Sequence, residues 1–212
     1  MSSPKHTVAY VLDFCLAQVN TEPYGSVMTK TSGRQTTDDW IQAGFRALAT
    51  KGPSALKVEA LARQIGTTKG SFYWHFADLG DFKARLLAHW EARAFSDIVD
   101  KLDTTADPVE RLRQLCILAV SFRDPAYGSS AAEPALRAWA REDGNVSEAV
   151  RQMDQRRLAY LDSLCRSCGL RRDDAATILY AAVIGLESMD SEPEMATQTI
   201  LGLLDALGLP GR

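Results

Sequence analysis

The chain has 212 residues, 46% hydrophobic and 24% charged, long enough for one large domain or two small ones around a real core. It holds no run of 18 or more uncharged apolar residues, which excludes a spanning helix. The net charge of −3 hides an asymmetry: eight Lys and Arg face five acids between Arg34 and Trp90, whereas the segment from Glu91 onward carries a net −6. A locally basic segment in an acidic chain suits a polyanion partner, although charge alone does not decide it.

The stretch Val8–Val19 follows Lys5 and His6 and reads apolar, but Asp13 and Gln18 interrupt it. No small-x-small cleavage site follows closely, so a short helix is expected in place of a secretion signal. Tyr24–Thr36 is rich in Gly, Ser and Thr and reads as a linker. Met28 lies inside it, which leaves two start positions open. Residues 1–34 are therefore expected as an extension and linker, 35–83 as a three-helix unit and 84–208 as a helical bundle.

From Thr36 on, helical patterns alternate with short breaks and no strand is convincing. Thr36 or Thr37 is an N-cap, with Asp38 and Asp39 placed where negative charge suits the helix dipole. Ile41, Phe45, Leu48 and Ala49 mark one face, and Gly52-Pro53 ends the helix. Val58, Leu61, Ala62 and Ile65 mark a second, short helix ending at Gly66. A third is expected from about Thr68 to Phe76 with Phe72 and Phe76 inward. A long fourth runs from near Asp78 to about Leu102. Asp107-Pro108 opens a fifth with Leu112, Leu115, Ile117, Leu118 and Phe122 inward. Further helices are expected at about 133–141, 146–168, 173–188 and 193–207, giving an all-α fold.

Lys57 to Phe82 carries the most information. Two short helices joined by a tight turn make a helix-turn-helix, in which Ala62 sits at the crossing point and Gly66 supplies a positive φ cheaply. Ile65 and Phe72 are placed to bury together. With Phe72 and Phe76 inward, Gly70, Ser71, Tyr73 and Trp74 point outward. Exposed aromatics, a hydroxyl and the cation of Lys69 on one small surface suit phosphate contact and base-edge reading. The alternative for either aromatic alone is packing against helix 1 or helix 4. The face as a whole favours DNA.

The run Leu61-Ala62, Ile65-Gly66, Lys69-Gly70-Ser71-Phe72-Tyr73-Trp74-His75-Phe76 resembles the TetR/AcrR family signature. The resemblance covers about Thr36 to Leu87. It implies a recognition helix 3, a DNA-binding unit of helices 1 to 3, and a bundle whose last two long helices form a homodimer. It further implies base or phosphate contacts from Thr68, Lys69, Gly70, Ser71, Tyr73, Trp74 and His75, with Lys57 and the amides that follow it gripping phosphate. His75 has a neutral packing role as its alternative. The family commonly has Lys three residues after the final Phe of the motif. This chain has Leu79 there, so one phosphate contact fewer, or a substitute such as Lys83, is expected.

In the C-terminal half, one stripe offers Ala175, Ile178, Leu179, Ala182, Val183 and Leu186, and another Ile200, Leu203, Leu204 and Leu207. Both suit a two-subunit four-helix bundle; completing the subunit's own core is the alternative, and pattern cannot separate the two. An effector pocket among helices 4 to 8 would draw on Trp90, Phe122, Tyr127, Trp139, Met153 and Tyr160, each of which reads more often as plain core than as pocket. Trp139 with Arg137 nearby would suit an anionic or aromatic effector.

Other constellations fail. Cys15, Cys116, Cys165 and Cys168 are too scattered for a disulfide scaffold, so reduced thiols and a cytoplasmic location are expected. Cys165 and Cys168 have CxxC spacing without the second pair that zinc needs. His6, His75 and His89 have no metal spacing, and GTTKGS has the wrong order for a phosphate-binding loop. No cofactor, no metal and no enzymatic activity are expected. The reading is a ligand-responsive DNA-binding regulator, acting on a palindromic operator as a homodimer and most simply as a repressor. Its alternative is a helical protein-interaction or redox-sensing module, the latter using Cys165 and Cys168.

Overall fold

The computed structural model describes residues 35–209. The expected helix at 8–19, the linker, the extension at 1–34 and Cys15 lie outside the described residues. Among the described residues the chain is all-α, and side-chain caps fix where its helices begin. In α1 (Thr37–Lys51) the Thr36 hydroxyl accepts from the Asp39 amide while the Asp39 carboxylate accepts from the Thr36 amide, a reciprocal capping box. The helix stops at Gly52, whose φ of 74° lies in the left-handed region. One tight turn, Pro53–Ala55, leads to α2 (Val58–Gln64), and Gly66 at φ 69° turns the chain into α3 (Lys69–Phe72).

α3 is shorter than expected. After Phe72 the bonds tighten, with the Trp74 amide donating to Ser71 and the His75 amide to Phe72, so 73–75 form a turn. Phe72 and Phe76 still face inward, at 0% and 2% exposure. Asp78 then caps α4 (Leu79–Glu91), accepting from the Asp81 amide at 2.8 Å. α4 continues through a π turn (Ala92–Ser96) into α5 (Asp97–Leu102), where the sequence suggested one unbroken helix. Asp107 caps α6 (Pro108–Ser121). Two 3₁₀ turns (Pro125–Tyr127 and Ser129–Ala131) precede α7 (Ala132–Trp139), α8 (Gly144–Ser167), α9 (Ala175–Ser188) and α10 (Pro193–Ala206).

Two apolar clusters hold these helices. The first joins Ile41, Phe45, Phe72, Phe76 and Phe82 to Leu136, Trp139 and Met153, so the helix-turn-helix shares its core with α7 and α8. Trp40, which the sequence pattern of α1 left out, is wholly buried in it, its ring edge-on to Phe72 at 5.2 Å. The second cluster packs α6, the end of α8, α9 and α10 around Leu112, Cys116, Leu179, Ile200 and Leu204.

The turn between α6 and α7 is clamped onto α1. Arg46 donates to the Ala126 carbonyl at 3.1 Å, and Tyr127 donates its hydroxyl to Asp38 at 2.9 Å. Gly128 follows with φ 85°, and a Cβ there would stand 2.8 Å from the Ala49 methyl and 3.2 Å from the Phe45 carbonyl. Both the conformation and the space demand glycine. Gly128→Ala is expected to cost about 2 kcal/mol or more, combining left-handed strain with overpacking. A urea-unfolding midpoint equal to wild type would show that the turn is not clamped as described.

Candidate functional site

α3 and the turn after it carry the candidate nucleic-acid interface. Phe72 and Phe76 anchor this short segment from below, their tilted rings packed 4.9 Å apart and against Phe82 at 5.6 and 5.1 Å, the last edge-on. The opposite side is left to solvent: Tyr73 is 51% and Trp74 78% exposed, beside exposed Thr68, Lys69 and Gly70. Single exposed aromatics need no explanation, but two side by side on a polar surface mark a contact face. Ser71 is half-buried, and Lys57 stands exposed at the cap of α2.

Gly70 gives a further sign. Its φ is ordinary for any residue, and a Cβ would meet only the Thr68 hydroxyl at 3.7 Å. Nothing within the subunit requires glycine there, although glycine weakens a helix. Close approach of an external backbone would require it.

Three residues have partners that the sequence did not reveal. Lys69 donates to Glu59 of α2 at 2.6 Å; both side chains are more than half exposed, so the pair is loosely held. His75 is half-buried, its Nδ1 3.1 Å from the Thr37 hydroxyl, which turns the ring toward the start of α1. Lys83, offered as the substitute for the missing cation at Leu79, sits with its ammonium 5.4 Å above the Trp139 ring.

A cavity of about 210 Å³ lies between the π turn, α6, α7, α8 and α9. Trp90, Phe122, Tyr127 and Tyr160 line it, as do Leu115 and Leu118, which the sequence assigned to core. Arg137, Trp139 and Met153 do not line it. Trp139 and Met153 are sealed in the first cluster at 2% and 1% exposure, and Arg137 is consumed by a network of ion pairs.

That network is centred on Glu133. Its carboxylate accepts from the Trp90 indole at 2.9 Å, from Arg157 at 2.8 Å and from Arg137 at 3.2 Å. Arg137 also donates to both oxygens of Asp154, and the Tyr180 hydroxyl donates to Asp154 at 2.7 Å. Burial works against the Glu133 charge, but Arg157 and Arg137 outweigh it and hold the carboxyl below its ordinary range. Asp154 is held low in the same way, with Arg137 and Tyr180 opposing its burial. Neither the cluster nor the π turn was legible in the sequence.

The apolar stripes of α9 and α10 divide. Ala175, Leu179, Leu186, Ile200 and Leu204, expected at a dimer interface, are buried in the subunit's own second cluster. They have no surface left to bury against another copy. Ile178, Ala182, Val183, Leu203 and Leu207 are half-exposed. The CxxC pair is buried: burial pushes the Cys165 thiol up to about 11 and raises Cys168, the opposite of what a redox switch needs.

Fold and exposed face together define a helix-turn-helix, DNA-binding transcription regulator. Residues 41–78 match the family described as bacterial regulatory proteins, tetR family. The chain is similar in structure to a TetR-family transcriptional regulator from Streptomyces coelicolor, at 16% identity over 81% of this chain and 88% of that one, TM-score 0.67. It is similar to a transcriptional regulator from Saccharomonospora viridis in complex with choline, at 18% identity over 83% and 98%, TM-score 0.71. It is also similar to the ketosteroid transcriptional regulator KstR2 of Mycobacterium tuberculosis, at 18% identity over 88% and 100%, TM-score 0.58. No curated protein matches. The tetR-family match lies in the helix-turn-helix segment, residues 41–78, and the resemblance to solved structures is one of fold.

Two substitutions separate folding from DNA contact. Gly70→Ala is expected to stabilise the fold by up to about 1 kcal/mol through helix propensity while weakening DNA binding at least about tenfold. Tyr73→Ala is expected to leave stability within about 0.5 kcal/mol of wild type and to weaken DNA binding similarly. Gel-shift titration alongside thermal melts checks both, and undiminished DNA affinity in either counts against the interface. Glu133→Gln leaves two part-buried guanidinium groups undercompensated, at a cost of about 1–3 kcal/mol at neutral pH. A depressed carboxyl contributes stability above its unfolded pKa and loses it as pH falls through the folded one. The gap between Glu133→Gln and wild type in urea midpoint is therefore expected to close below about pH 4.

Proposed function

We propose that the protein is a ligand-responsive repressor, a cytoplasmic homodimer that reads a near-palindromic operator through two α3 faces. Residues 35–83 would be its DNA-binding unit and 84–208 its sensing and dimerisation unit, with 1–34 as an extension. The observation that carries the reading is the outward face of Lys69, Gly70, Tyr73 and Trp74, held up by an inward phenylalanine pair. Thr68, Ser71 and Lys57 extend it, and His75 supports it from α1. One such face reads too few base pairs, which argues for two copies about one helical turn, roughly 34–36 Å, apart. The half-exposed Ile178, Ala182, Val183, Leu203 and Leu207 of α9 and α10 are the residues proposed to pair them.

The cavity is proposed as the effector site, and the ligand-bearing or ligand-named neighbours support a small molecule there. The Tyr127 ring lines the cavity and its hydroxyl holds Asp38 of α1. His89 stacks on the same ring at 5.0 Å, and Arg93 lies 4.1 Å over it while pairing with Asp124. A ligand that moves Tyr127 must pull on α1. Its power to shift the equilibrium is limited to its difference in affinity for the two arrangements.

Footprinting on DNA upstream of the protein's own coding region tests the whole reading, because it reports the site, its symmetry and the half-site spacing together. Affinity is expected to fall steeply with salt, as for any protein that displaces counterions from phosphates. Tyr127→Phe keeps the ring and removes the Asp38 bond; DNA affinity without effector is expected within about threefold of wild type, with the response to effector reduced. Salt-insensitive binding, or a full effector response in Tyr127→Phe, would overturn the corresponding part.

A further inference from the structure

We infer that the cavity accepts an organic cation, an ammonium group on a small apolar body, and that Glu187 of α9 is the side chain that selects it. The inference rests on the reading of the cavity as the effector site and adds the charge of its ligand.

The cavity wall carries three cations and three acids, but they are not equally committed. Arg93 is paired with Asp124 at 2.7 Å, and Arg157 with Glu133 at 2.8 Å. Arg123 donates to the backbone carbonyls of Val120, Phe122 and Ser191 at 3.1 to 3.3 Å. Each guanidinium already has oxygen partners. Glu187 differs: no hydrogen bond or ion pair holds its carboxylate among the described residues. The charged groups facing it are Glu133 and Arg137 from α7, Arg157 from α8 and Arg123 from the segment after α6. The arginines do not compensate. Burial, with Glu133 adding to it, pushes the Glu187 carboxyl up to about 7. A carboxylate left unpartnered in a largely apolar cavity is costly, and an incoming cation removes that cost. The Tyr160 ring on the cavity wall suits the same ligand class, since ring faces attract ammonium groups, whereas Phe95 and Trp90 already hold Arg156 and Arg157 over one ring face at 4.6 and 5.9 Å.

Three compounds that share one ring and a four-carbon tail test this: 4-phenylbutylamine, 4-phenylbutanol and 4-phenylbutyrate, titrated calorimetrically into the full chain at pH 8. The amine is expected to bind at least about tenfold tighter than the other two. Glu187→Gln is expected to abolish that preference while leaving the affinity for the alcohol unchanged. At pH 7, pairing with the ammonium deprotonates Glu187, so wild type is expected to release about half a proton per amine bound and Glu187→Gln none, read from buffers of different ionisation enthalpy. Without ligand, a raised carboxyl costs stability as pH climbs from the ordinary range toward 7. Glu187→Gln is therefore expected to melt higher than wild type at pH 8 and level with it at pH 5, which also shows that the variant folds.

If the alcohol or the butyrate binds as tightly as the amine, or Glu187→Gln keeps the preference, the charge assignment fails and the effector cavity stands. If none of the three binds wild type, the effector-cavity reading falls and this inference falls with it.

Discussion

The Glu133 carboxylate is the joint on which the C-terminal half depends. It accepts hydrogen bonds from α4 through Trp90, from its own helix through Arg137 and from α8 through Arg157, while Tyr180 of α9 closes the group through Asp154. Four helices that need only a generic apolar interface to pack are thereby fixed in one arrangement. Such a cluster is weak support for stability, because desolvating its charges costs about what their attraction returns. Its physical effect is selective: any sliding of α8 against α7 strands a part-buried arginine.

The same cluster explains the shape of the cavity. In a π turn the backbone bonds skip one residue further than in an α-helix, which leaves the ladder locally mismatched. At Ala92–Ser96 the Ala94 carbonyl is taken up by Arg157 at 3.3 Å, so the irregular turn is stabilised from α8. Arg93, Ala94 and Phe95 of that turn face the cavity. The helix leading out of the helix-turn-helix is thus irregular where the cavity touches it. On the other wall, Tyr127 spans from the cavity to Asp38, and Arg46 grips the Ala126 carbonyl. The cavity wall is thus continuous with the helix-turn-helix in two places, along α4 and across the turn onto α1.

The local part of this architecture was readable from sequence. Thr36, Asp78 and Asp107 cap helices because their short side chains reach amides two or three residues on, and Gly52 and Gly66 break them because φ turns positive. The outward aromatic face was readable because two phenylalanines four apart leave Tyr73 and Trp74 no inward position. What was illegible depends on contacts distant in sequence. Glu133, Arg137, Asp154 and Arg157 look like ordinary solvated helix faces until α4, α7, α8 and α9 converge on them. Arg137 and Trp139 are two residues apart, yet one joins the ion cluster and the other the apolar core, so their nearness in sequence misled. The stripes on α9 and α10 failed for a related reason. Periodicity finds the apolar side of a helix, but it cannot tell the subunit's own core from a partner's, and α6 and α8 already cover Leu179 and Leu204.

The recognition segment shows how folding and contact are kept apart in so short a piece of chain. Four helical residues followed by a tight turn cannot hold their shape alone, because helix nucleation is unfavourable at that length. Their order comes from Phe72 and Phe76, locked among Trp40 and Phe82. Since the inward side supplies the order, the outward side is free to carry residues chosen without regard to folding. It holds a glycine with no internal need for one, a tryptophan largely in water, and a lysine lightly held by Glu59. Lys69 gains little from that exposed pair, so exchanging Glu59 for a phosphate costs the fold almost nothing. The pairing offsets one positive charge on this face. An exposed pair at 2.6 Å thus offsets the Lys69 charge without tying the fold to it, so the outward face can change partners while the inward phenylalanines keep its shape.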